Sequence, residues 1–164
     1  MFGSFQQSQI RIEISASAAD LADALLYTDR LKQWLWPQSF SDAPEKLVAG
    51  TRFTSQFGPI SLKHYVDLSV DNRLRVLLAE SIDGYHEWYW GDGWVQSRLE
   101  GVSLLPLKLV QSTSLMRLRD FVSDDGSDSD DSEPTDKPDA KKDPDGDAEP
   151  EKPEKAEGEP TDAD

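Results

Sequence analysis

The chain has no cysteine among its 164 residues. That excludes disulfides, thiolate zinc sites and a cysteine nucleophile. It has two histidines, His64 and His86, too few for a histidine-rich metal site. No apolar run approaches the ~20 residues needed to span a bilayer, and the first residues lack the basic and apolar regions of a signal peptide. A soluble cytoplasmic protein is expected. There is no phosphate-cradling glycine loop, no nucleophile–base–acid arrangement and no internal repeat. No metal and no cofactor are expected.

Basic residues are also scarce, and unevenly so. The net charge is −15. Residues 1–122 hold 14 acidic and 12 basic side chains, whereas residues 123–164 hold 18 acidic and 5 basic. The body has no basic excess, which argues against nucleic-acid binding. Residues 123–164 lack any aromatic or β-branched aliphatic residue, so they cannot bury enough apolar surface to offset their ordering entropy. Three segments follow: a flexible N-terminus over 1–8, one domain over 9–122 and a disordered acidic tail over 123–164. All five Trp, four Tyr and six Phe fall in residues 1–122, ample for a core. A monomer is expected.

The stretch Leu104–Val122 predicts the helix on which the rest is organised. Leu107, Val110, Leu115, Leu118 and Val122 fall at helical intervals, with Lys108, Gln111, Arg117 and Arg119 mostly elsewhere. Ser103 is a candidate N-cap, and Pro106 suits a first turn, where its missing N–H has no intrahelical partner. Arg117 and Arg119 offset the dipole at the other end. Ser112, Thr113 and Ser114 have poor helix propensity, but their small size lets the helix approach a sheet or leaves room for a ligand. A plain amphipathic core helix is the alternative.

Before it, Ile10, Ile12 and Ile14 alternate with Arg11 and Glu13 as a half-buried strand. Leu21, Ala24 and Leu25 predict a helix to about Asp29. A short helix over Leu31–Trp36 ends at Pro37. The period then changes to two. Strands are expected around Phe53–Phe57, Ile60–Val70, Leu74–Ile82, Tyr85–Trp90 and Trp94–Glu100, with turns at Gly58-Pro59, Asp71-Asn72, Asp83-Gly84 and Gly91–Gly93. On the second of these, Ile60, Leu62, His64, Val66, Leu68 and Val70 share one face. Successive hairpins make a meandering antiparallel sheet with helices on one side, an α+β architecture.

A two-residue Asp83-Gly84 turn and a three-residue Gly91–Gly93 turn fix the facing of the last strands. Leu74, Val76, Leu78, Glu80, Ile82, Tyr85, Glu87, Tyr89, Val95, Ser97 and Leu99 then point inward. His86, Trp88, Trp90 and Trp94 point outward. Glu80 and Glu87 become neighbours, which would raise one carboxyl pKa; the bland alternative is a solvated position at the hairpin end, or pairing with an arginine. Three outward Trp would mark a protein or membrane-surface contact, unless sheet curvature or the segment with Phe2 and Phe5 covers them. A one-residue slip reverses all of this.

The opening IRIEISASAADLADALLYTDRLKQWLWP and the closing DGYHEWYWGDGWVQSRLEGVSLLPL before the last helix resemble the SRPBCC superfamily. That group includes START-type lipid-transfer domains, polyketide cyclases and coenzyme Q-binding proteins. The resemblance is one of pattern over roughly residues 9–122. It implies a helix-grip fold: a curved antiparallel sheet of about six strands wrapped on a long C-terminal helix, with two short helices after the first strand. It further implies a hydrophobic pocket between sheet and helix, with the short helices closing one end. No catalytic residue is carried over.

Non-enzymatic binding or carriage of a lipid-, isoprenoid- or polyketide-like molecule is therefore expected. The residues expected to contact it are His64, Trp34, Trp36, Leu62, Val66, Tyr85, Tyr89, Leu115 and Leu118, with His64 the single polar point. One alternative is a cyclase- or hydratase-type enzyme using His64, Glu80, Glu87 or Tyr85, which requires at least two of them to converge inside. Another is a protein-interaction module acting through the Trp cluster or the acidic tail.

Overall fold

A computed structural model describes residues 3–125. The expected disordered tail lies, apart from Ser123–Asp125, outside the described residues. The elements are β1 (Ser4–Glu13), α1 (Ala18–Leu26), α2 (Thr28–Trp34), β2 (Ser39–Ser41), β3 (Arg52–Phe57), β4 (Ile60–Val70), β5 (Arg73–Glu80), β6 (Ile82–Gly91), β7 (Trp94–Ser103) and α3 (Leu107–Asp125). The strands form one antiparallel sheet in the order β1-β7-β6-β5-β4-β3-β2. It has seven strands rather than six, because the short edge strand Ser39–Ser41 carries too little apolar pattern to be read from sequence. The sheet is curved, and all three helices lie against one side of it. The core between them centres on Leu21, Leu25, Val66, Val95, Leu107, Leu115 and Leu118.

The N-terminus is ordered from Ser4, correcting the expectation of a loose segment over 1–8. Its side chains are polar apart from the exposed Phe5, but its backbone pairs with β7 from Ser4↔Ser103 to Glu13↔Trp94. Gln6 also clamps the entry to α3. Its Nε2 donates to the carbonyls of Ser103 (3.1 Å) and Leu105 (2.9 Å), and its Oε1 accepts from the Leu107 N–H (3.1 Å). One of the unpaired donors at the helix start is thereby satisfied from another element. Ser103 does not cap the helix, which starts later; its hydroxyl accepts from the Leu105 N–H and donates to the Ser81 carbonyl.

Helix α1 starts on a capping box: the Ser17 hydroxyl accepts from the Asp20 N–H (3.2 Å), and Asp20 accepts from the Ser17 N–H (3.1 Å). It buries Leu21, Ala24 and Leu25. The break between the short helices falls at Tyr27, two residues before the expected end, where the backbone turns extended and bridges to Lys46. The second helix runs Thr28–Trp34 rather than Leu31–Trp36.

Two registers differ from the sequence reading. The β5–β6 turn is at Ser81, not Asp83-Gly84. Glu80 takes a φ of +84° there, held by the Ser61 hydroxyl (2.6 Å) and Lys63 Nζ (2.8 Å) on its carboxylate. Gly84 instead lies inside β6, where an added Cβ would come within 1.9 Å of the Glu100 carbonyl oxygen. The Asp-Gly pair thus serves close strand approach, not a turn. The β6–β7 turn has two residues, Asp92-Gly93, pairing Gly91 with Trp94; Asp92 also accepts from the Ala18 N–H at the start of α1 (2.8 Å). Each correction moves β6 by an odd number of residues relative to its neighbour, so the two parity errors cancel on β5 and β7. Only β6 is reversed. In β4, a bulge between Val66 and Leu68 flips the face, leaving Ser69 opposite Leu74 and Val70 exposed.

Candidate functional site

A cavity of about 130 Å3 lies between the sheet and the helices. Leu74, Val76 and Leu78 of β5 floor it, beside His86 and Trp88 of β6 and Leu99 of β7. Phe53, Leu62 and His64 close one side, and Leu31 and Trp34 of α2 close another. Val110, Gln111 and Ser114 of α3 form the roof. A roof with room beneath it follows from the small side chains there: the Ser112 and Ser114 hydroxyls turn back onto the carbonyls of Lys108 (2.8 Å) and Val110 (3.0 Å). A more open groove of about 410 Å3 borders Arg52, Lys63, Tyr65 and Leu77.

Two polar relays enter this apolar space. In one, Gln38 Nε2 donates to Ser55 Oγ (2.6 Å), which meets His64 Nε2 (2.7 Å). In the other, Gln111 Nε2 donates to Ser97 Oγ (2.9 Å), which meets His86 Nε2 (2.8 Å). A serine oxygen that accepts from an amide keeps its own proton to donate onward. In the tautomer in which that proton goes to the imidazole, Nε2 accepts and Nδ1 carries the ring proton. His64 stacks on Phe53 with ring centroids 4.4 Å apart, and His86 tilts against Trp88 at 4.5 Å. Burial lowers the His64 pKa to about 4. Burial, and next the neighbouring His64, lowers that of His86 to about 3. Both rings are neutral at pH 7, so they offer hydrogen bonds without charge.

Of the nine expected contact residues, Trp34, Leu62 and His64 line the cavity. Val66, Leu115 and Leu118 are fully buried in the core but do not border it. Trp36 is 73% exposed, and its carbonyl accepts from Arg117 Nη1 of α3 (2.8 Å). Tyr85 and Tyr89 are on the opposite face, because β6 is reversed: Tyr85 pairs with Leu77 and Tyr89 with Arg73, while His86 pairs with Val76 and Trp88 with Leu74. The expected outward Trp surface is corrected too. Trp88 and Trp90 are buried, and Trp94 lies under the Arg11 guanidinium, 4.1 Å from the ring centroid.

The expected Glu80–Glu87 pair does not form. Glu87 is buried on the outer face, where its Oε1 takes Arg73 Nη2 (2.6 Å) and Arg75 Nη2 (3.0 Å). Burial works to raise its pKa, but the Arg73 and Tyr89 hydrogen bonds and the charges of Arg75 and Arg73 outweigh burial and hold it below its ordinary value. Glu80, Glu87 and Tyr85 all lie outside the cavity, so the four residues of the enzyme alternative do not converge.

Gln111, His86 and Trp88 are among the site residues that sequence reasoning missed. Gln111, not Val110, completes the buried stripe of α3 with Leu107, Leu115, Leu118 and Val122, at steps of four, four, three and four. A polar residue on that stripe was the available signal. Among the described residues no group of His, Cys, Asp and Glu could hold a metal ion, and no helix is long and apolar enough to cross a membrane.

No family model matches the chain, and no curated protein matches it. Solved structures do. Aha1 from Colwellia psychrerythraea, solved as a dimer, superposes with a TM-score of 0.56 at 18% identity, over 71% of this chain and 96% of that one. An AHSA1-like protein from Aeromonas hydrophila gives 0.56 at 14%, over 74% and 94%. Norcoclaurine synthase from Thalictrum flavum, in complex with dopamine and hydroxybenzaldehyde, gives 0.54 at 15%, over 79% and 91%. With the curved antiparallel sheet, the two short helices after β1 and the long α3 already described, these likenesses establish that the chain has the helix-grip fold of SRPBCC-type proteins.

Proposed function

We propose that the chain binds a small hydrophobic molecule in the cavity between β5–β7 and α3. The observation that carries this is an apolar cavity inside the fold with two neutral imidazoles at its wall. A core selected only for stability closes such space, because each void forfeits packing energy. The volume narrows the ligand. An apolar cavity of about 150 Å3 takes up benzene, so about 130 Å3 suits one ring or a short branched chain better than a long lipid or isoprenoid. Trp34 and Trp88, packed edge to face at 6.3 Å, both line the cavity. Solved proteins of this fold include one in complex with dopamine and hydroxybenzaldehyde, each a one-ring molecule. The cavity is built from a single chain, so binding in a monomer is part of the proposal.

Binding rather than acid–base chemistry fits the histidines. An imidazole pushed to about 3 or 4 is a weak base at neutral pH, far from the pKa that suits general catalysis.

The test is thermal. Toluene should raise the melting temperature of the wild-type protein in a saturable way. Val76→Phe, which fills the cavity from β5, should remain folded and lose that increment. A wild-type protein whose melting temperature is indifferent to toluene and to other one-ring apolar compounds would sink the proposal. Native mass spectrometry of protein purified from its source would then identify the molecule.

A further inference from the structure

We infer that the ligand carries a hydroxyl group and donates its proton to Oε1 of Gln111. This rests on the binding reading above and specifies its chemistry. Gln111 is fully buried in the middle of α3. Its amide cannot be turned over, because Nε2 donates to the Ser97 carbonyl at 2.8 Å and a carbonyl only accepts. Oε1 is therefore pinned as the other end of the amide. It is buried and has no hydrogen-bond partner among the described residues, on a residue that borders the cavity.

A buried acceptor without a partner costs about 1–3 kcal/mol. Every neighbouring position on the stripe is aliphatic, so leucine would suit position 111 if packing were the whole requirement. Among the described residues the other buried side-chain polar atom without a partner is Trp90 Nε1, on a residue that does not border the cavity. The orphan at position 111 thus belongs to a residue that lines the apolar cavity.

The donor that Oε1 lacks must be neutral, since an ammonium would lose its hydration in an apolar cavity. A hydroxyl has a further advantage over other neutral donors. Its oxygen also accepts, which suits a His86 ring that takes the serine proton at Nε2 and carries its own on Nδ1. Together with the volume, this points to a one-ring alcohol or phenol.

Phenol, toluene and anisole are close in size and differ in what they offer: a donor, no polar atom and an acceptor only. Titration calorimetry on the full chain should show phenol binding more tightly than either of the others. In Gln111→Met the preference for phenol over toluene should fall by about tenfold, the cost of an unpaired acceptor. A measurement on unaltered protein guards against a variant that does not fold. The side-chain carbonyl 13C resonance of Gln111 should move with phenol and stay put with toluene. Equal binding of all three compounds, or a Gln111 carbonyl that ignores phenol, overturns the hydroxyl inference while leaving cavity binding intact. If none of the three binds, both fall together.

Discussion

At the scale of the residue, His64 and His86 differ from a surface histidine only in what surrounds them. Stripped of water, each disfavours the charged form, and its pKa drops below the ordinary 6.5 to about 4 and about 3. The consequence for stability has a definite sign. Between pH 6.5 and 4 the unfolded chain binds protons at both rings and the folded chain does not, so stability is full above about pH 6.5 and is lost as pH falls through that window. Each ring contributes on the order of a few kcal/mol to this loss. Urea unfolding at pH 7 and pH 4.5 should show a steep drop for the wild type and a shallower one for the His64→Leu/His86→Leu double variant. The carboxylates titrate alike in both proteins, so equal slopes would mean that the imidazoles are not desolvated. Histidine type and spacing were readable in advance, and His64 lines the cavity. His86 was misplaced because its facing depends on the parity of two turns, not on its own identity.

At the scale of the element, β1 shows what alternation alone misses. Met1–Ser8 has no apolar stripe, yet the strand starts at Ser4 because edge pairing with β7 needs only backbone groups. Gln6 then ties this strand to the start of α3 through three side-chain hydrogen bonds. Gln6→Ala should destabilise the protein by about 1–3 kcal/mol, at roughly 1 kcal/mol or less net for each bond. Gln9→Ala, exposed on the same strand, should stay within about 0.5 kcal/mol. Chemical denaturation of the two variants side by side decides the matter; equal costs would show that Gln6 makes no clamp. The α3 stripe was legible except at one position. Val110 and Gln111 are consecutive in the chain and both lie near the stripe, and hydropathy favours the valine, but the amide finds the Ser97 carbonyl and hydroxyl on β7. Partners from a distant strand made burial of the glutamine affordable.

At the scale of the whole molecule, the net negative charge is concentrated at one end of the sequence. Residues 126–164 hold nothing apolar enough to bury, and their like charges repel one another. Their removal is expected to leave the melting temperature of the remainder within a few degrees. A loss of cooperative unfolding in the shortened chain would contradict that. The order of elements, the antiparallel meander and the helix that closes it were set by sequence periodicity, because a switch between periods of two and 3.6 is a local property of the chain. The inward faces of β5 and β7 were readable for the same reason. The face of β6 was not, because it depends on where a turn is placed, and the Asp83-Gly84 pair was drawn into the strand by the close approach of Glu100. The cavity is likewise a tertiary product. Its volume is what remains when small side chains on α3 meet large ones on the sheet. Its chemistry depends on Gln111 and His86 reaching one serine from different elements, a meeting that no local pattern encodes.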